Sequence, residues 1–134
     1  MKGYILAKTG KPMEGLAQIR EAIAMLETTS LDENMKKTLK TRAKLLEYHA
    51  LTTNGDLKEA EQASKRCKEW LTENGTISNW KTYHRICGIF ELQKENYEKA
   101  RECLAKSSEA PSTWYYTGLA WQKSGNKDKA RKYY

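Results

Sequence analysis

Runs of β-branched residues are absent from this chain, and with them any strand candidate. Proline occurs only twice and glycine eight times in 134 residues, so little interrupts a helical course. Cysteine is scarce: Cys67, Cys87 and Cys103 show no C-x-x-C spacing, and their odd number argues against a closed disulfide framework. A reducing compartment, the cytoplasm, is therefore expected. No apolar run approaches the ~20 residues that a membrane span needs, and Met1-Lys2-Gly3 opens no signal-peptide core. No membrane partner is expected. Gly10-Lys11 lacks the glycine run and the following Ser or Thr of a phosphate loop. The two histidines, His49 and His84, sit on helical patterns with no nucleophile paired to them in sequence. No enzymatic activity, catalytic residue, metal ligand or cofactor is expected.

What the chain does hold is charge and helix-forming residues. Hydrophobic residues make up 39% and charged residues 31%, a polar but foldable balance. The formal net charge is +7. Residues 111–134 hold five cations and one anion, while each of the stretches 1–30, 31–74 and 75–110 nets only +1. The basic excess is thus local to the tail, unlike the spread surface of a general nucleic-acid binder.

In chain order, residues 2–9 read as a short helix, broken at Gly10-Lys11-Pro12. Leu16, Ile19, Ile23 and Leu26 recur at three and four residues and predict an amphipathic helix from Met13. Ser30 with Glu33 fits a capping box before a long helix to about Thr53. Met35, Leu39, Leu46, Ala50 and Leu51 are among its apolar positions. Asn54-Gly55 closes it, and Asp56 with Glu59 opens the next, whose stripe is Leu57, Ala60, Ala63, Cys67 and Leu71. After Asn74-Gly75, Ser78 or Asn79 should cap a helix carrying Tyr83, Ile86, Cys87 and Phe90. Glu95-Asn96 makes a turn without glycine. A helix from Tyr97 to about Ser107 follows, with Ala100, Cys103 and Leu104 facing inward. Two more helices fill residues 111–134, with Ser112 and Asn126 as caps. Connectors this short force antiparallel neighbours.

A fixed interval recurs along this course. Gly88 to Ala100, Gly118 to Ala130 and Tyr48 to Ala60 each span twelve residues. Gly10, Gly55, Glu95 and Gly125 occupy equivalent turns, 45, 40 and 30 residues apart, a period that marks helical repeats. Small residues let two helices cross closely, and a neighbouring aromatic fills the gap. Trp114 and Trp121 are expected as that filler beside Gly118 and Ala130. On these residues the chain resembles the tetratricopeptide repeat (TPR) family. The match is fullest at Trp114, Gly118, Trp121, Ala130 and Tyr134. It runs through Gly88, Ala100 and Leu104 in residues 81–107, where Glu91 stands in place of an aromatic or Leu. It continues through Leu51 and Ala60 in residues 41–67 and Leu6, Gly10 and Gly15 in residues 1–26. Stacks of the HEAT or armadillo kind are the structural alternative.

The expected fold is all-α: one repeat domain over residues 1–134, its antiparallel helix pairs stacked as a right-handed TPR-like superhelix. The approximate units are 1–27, 32–73, 79–107 and 111–134. Both ends are expected to be cut from a longer protein, and self-association through such ends follows as a further reading. The resemblance implies a protein-interaction scaffold that holds a peptide or partner protein in a concave groove. The groove residues it implies are Arg42, Leu45, His49 and Thr52; Thr82, Arg85, Ile89 and Leu92; and Ser112, Tyr115, Leu119 and Gln122. Their apolar and arginine mixture suits a peptide with carboxylates. The alternative is nucleic-acid binding. It would use the Lys36, Lys40 and Lys44 row, four residues apart on one helical face. The basic tail, Lys123, Lys127, Lys129, Arg131 and Lys132, would join it. A solvated helix face is the favoured account of the row.

Overall fold

A computed structural model describes residues 12–26, 28, 30 and 32–133, with side chains from Gly15 onward. The readings on residues 2–9, on Leu6 and Gly10 and on Tyr134 lie outside the described residues. Among the described residues seven α-helices follow one another: α1 (Pro12–Leu26), α2 (Glu33–Asn54), α3 (Leu57–Asn74), α4 (Ile77–Gln93), α5 (Tyr97–Ala105), α6 (Pro111–Lys123) and α7 (Lys127–Arg131). No strand occurs among the described residues. The all-α class therefore holds, and it is built from packed helix pairs.

The helices fall into two compact units that divide between Thr76 and Ile77. In the first, α2 packs against both α1 and α3. Leu16 and Ile19 of α1, Tyr48, Ala50 and Leu51 of α2, and Ala60, Ala63, Cys67 and Leu71 of α3 are buried. These are mostly the apolar stripes of the sequence, although Met35 is exposed. Polar ties reinforce the packing. Trp70 donates its indole N–H to Thr41 Oγ1 at 2.7 Å, joining α3 to α2. The Glu47 carboxylate meets Arg66 of α3 at 3.0 Å and Arg20 of α1 at 3.8 Å.

In the second unit α4 packs on α5, and α6 packs on α4, α5 and α7. Its core includes Tyr83, Ile86 and Phe90 of α4, with Ala100 and Leu104 of α5. Gly88 sits where α4 and α5 cross. A Cβ placed there would lie 2.5 Å from Leu104 Cγ and 3.4 Å from the Ala100 carbonyl oxygen. The small residue is required by that approach, as the twelve-residue interval implied.

Three turns share one backbone solution. Gly55, Glu95 and Gly125 adopt left-handed conformations, with φ of 80°, 65° and 92°. In each, the N–H of the next residue (Asp56, Asn96, Asn126) reaches back to a carbonyl five residues earlier, on Leu51, Glu91 and Trp121. This closure satisfies carbonyls that a helix end leaves free. Glu95 fills the position as the turn pattern required, and does so without glycine's freedom.

The caps differ from expectation in several places. Asp32, not Ser30, caps α2, accepting the Asn34 N–H at 2.9 Å. Asp32 borders the first turn, whereas Ser30 lies too far upstream. Glu33 instead pairs with Lys36 at 3.8 Å. Asp56 borders α3 but its carboxylate makes no capping bond. Helix α4 begins at Ile77, which places Ser78 and Asn79 inside it. Pro111 starts α6 after Ala110, so Ser112 is likewise internal. Proline suits that first position because its missing N–H would have had no partner there. Asn126 does cap α7, accepting the Lys129 N–H at 3.1 Å.

Candidate functional site

The second unit places its open aromatic surface at the start of α6. Pro111 fixes the first turn there, and helical spacing then sends Trp114 and Tyr115 outward. Tyr133 and Lys132 follow α7 and complete the wall of a hollow of about 720 Å³ with these three residues. Trp114 is 47% exposed, Tyr115 52% and Tyr133 38%. Tyr115 is braced edge-on by Tyr116, ring centroids 5.3 Å apart. Large rings held open on a helix are the kind of surface that partner recognition uses.

Trp114 therefore departs from the expected packing role. Gly118 one turn on is buried, and Trp114 is not. Trp121 does fold inward in part, but its ring is covered by cations. The Arg101 guanidinium lies 3.8 Å and the Lys129 ammonium 4.4 Å from its centroid. Such contacts draw on the negative face of the indole. Arg101 also donates to Ser124 Oγ at 3.3 Å, which ties α5 to the α6–α7 turn.

The twelve residues of the expected groove separate into core and surface. Leu45 and Thr52 are buried, because α2 is flanked by both α1 and α3. Leu92 is buried in a cluster with Ala100 and Ala120, against Tyr97 and Tyr116. As placed, these three present no open surface to a ligand. Arg42 is exposed and His49 half-buried in the first unit. In the second, Thr82, Arg85 and Ile89 are half-buried on α4. Ser112, Tyr115 and Gln122 are exposed on α6, and Leu119 is half-buried there. Since α4 and α6 are packed neighbours, these two sets ride on adjacent helices. His84 stacks on Trp80 with ring centroids 5.8 Å apart, an aromatic contact that serves packing.

Sequence reasoning missed Trp114 and Tyr133 as surface for recognition, and named Lys132 only within the basic tail. The available signal was the coincidence of Pro111, the tail's aromatics and its charge. The lysine row is less open than its spacing implied. Lys36 pairs with Glu33, and the Lys44 ammonium lies 5.4 Å from the Trp70 ring centroid. Among the described residues no group of three or more His, Cys, Asp or Glu could hold a metal ion. No described helix is long and apolar enough to cross a membrane. No protein-family model, curated protein or solved structure matches the chain.

Proposed function

We propose that the chain is a protein-interaction module of TPR-like build, without enzymatic activity of its own, that holds a peptide segment of a partner protein. Its helix pairs would continue as a right-handed superhelix. The close crossing at Gly88 and the packing of α6 on both α4 and α5 support that reading. The observation that carries the function is the hollow of Pro111, Trp114, Tyr115 and Tyr133 with Lys132 at its wall. Rings on a braced helix offer apolar contact at little ordering cost. The ammonium suits a carboxylate beside an apolar side chain. The favoured ligand is therefore an extended acidic peptide bearing a leucine or aromatic residue. Arg85 and Ile89 of α4, with Tyr115, Leu119 and Gln122 of α6, would extend the contact.

The test is fluorescence anisotropy with labelled synthetic peptides of that composition, against neutral and basic controls. Acidic apolar peptides should bind, and Trp114→Ala and Tyr115→Ala should each weaken binding at least ~10-fold. Equal binding by the parent chain and both variants would sink the assignment to this hollow. The same exposed rings beside Lys132 could instead stack on bases, so a single-stranded oligonucleotide forms the second arm. Tighter oligonucleotide binding, falling steeply with salt, would replace the peptide by nucleic acid. Peptide preference with a shallow salt dependence is expected, since Lys36, Lys44 and Lys129 already have partners within the fold.

A further inference from the structure

The crossing of α4 and α5 has a chemical consequence. Cys87 immediately precedes Gly88, and Cys103 immediately precedes Leu104, the side chain on which Gly88 rests. The close approach at Gly88 therefore brings the two thiols together, Sγ to Sγ 2.8 Å, as an S–H···S hydrogen bond between reduced cysteines. Both are half-buried, so small oxidants can reach them. A disulfide needs sulfurs about 2.05 Å apart, a change that small side-chain rotations can supply.

We infer that Cys87 and Cys103 form a reversible disulfide that staples α4 to α5 when the protein meets a small-molecule disulfide such as oxidised glutathione. Two steps balance the reaction. The Cys87 thiol loses its proton, and its thiolate attacks one sulfur of the oxidant. This forms a mixed disulfide and expels a thiolate, which takes up a proton. The Cys103 thiol then loses its proton, and its sulfur attacks Cys87 Sγ, expelling the second thiol. Two electrons pass from the protein thiols to the oxidant's S–S bond, and two small thiols leave. Once Cys87 has lost its proton, Cys103 is the donor of the thiol–thiol hydrogen bond and stabilises that thiolate. That bond, with burial, pushes the Cys103 thiol's own pKa well up, so Cys103 keeps its proton while Cys87 makes the first attack. Cys67 is buried on α3, and burial pushes its thiol up to about 12, so it does not compete.

The whole 134-residue chain is incubated with oxidised glutathione, alkylated and digested with trypsin without reduction. The expected product joins peptides 86–94 and 102–106, lighter than their sum by two hydrogens, and dithiothreitol separates them. The oxidised chain should melt at least ~5 °C higher than the reduced one. Cys67→Ala should leave the cross-link in place. Cys103→Ser should halt the reaction at a stable glutathione adduct on Cys87. Three results would overturn the inference: both thiols alkylated after oxidation, separate glutathione adducts on each, or a cross-link through Cys67. The mass map of the parent chain decides the matter even where a variant fails to fold.

Discussion

The α2–α3 pair and the α4–α5 pair solve the same packing problem in opposite ways. Each sets an alanine twelve residues after a crossing position, Ala60 after Tyr48 and Ala100 after Gly88. In the first pair the crossing residue is a tyrosine with no exposed surface. In the second it is a glycine with no room for a Cβ. One pair is filled by a ring; the other is closed by backbone approach. The difference teaches that the interval fixes the pairing of the helices, while the residue at the crossing fixes what chemistry fits beside it. Only the glycine crossing brings two cysteine sulfurs to 2.8 Å.

Exchanging the two solutions should break both. Tyr48→Ala should cost about 3–5 kcal/mol in urea unfolding followed by circular dichroism, because a large ring leaves a cavity that the helices fill poorly. Gly88→Val should cost about 2–3 kcal/mol by the same measurement, with Gly88→Ala smaller, because Leu104 stands in the way. A Gly88→Ala variant as stable as the parent would show that α4 and α5 have slack between them. Glu95→Gly, at a left-handed turn that lacks glycine, should stabilise the chain by about 1 kcal/mol. Arg101→Ala should cost about 0.5–1 kcal/mol through the cation contact with Trp121.

Cys67 sharpens the comparison through pH. Burial raises its thiol from the ordinary 9.0 to about 12 in the folded chain. The folded state therefore holds this proton more tightly than the unfolded state. Its contribution is complete below about pH 9 and is lost as pH rises towards 12. The urea midpoint of the parent should fall with pH above 9, and that of Cys67→Ala should fall less.

Periodicity made the helix order, the Gly55, Glu95 and Gly125 turns and the Gly88–Ala100 contact legible, because each follows from local spacing. Glu91 was not legible as a core residue. It lies where an apolar side chain was expected, yet it is buried. The Asn96 side-chain amide donates to it at 2.9 Å, and the Lys99 ammonium lies 3.8 Å from it. Only the folded turn supplies those partners. Leu45, Thr52 and Leu92 were placed on open faces because spacing within one helix does not reveal which neighbours cover it. Trp114 failed for the converse reason: it shares its stripe with buried Gly118, yet nearly half of its surface stays open. The aromatic hollow joins the start of α6 to residues after α7, a meeting that linear spacing does not encode.

The glycine crossing is tested most directly by an isotope-edited nuclear Overhauser measurement between the Gly88 α-protons and the Leu104 methyl groups. Strong cross-peaks are predicted, because even a Cβ at position 88 would lie within 2.7 Å of Leu104 Cδ2. Their absence, in a chain whose other core contacts are present, would contradict the close approach and, with it, the common design of the two pairs.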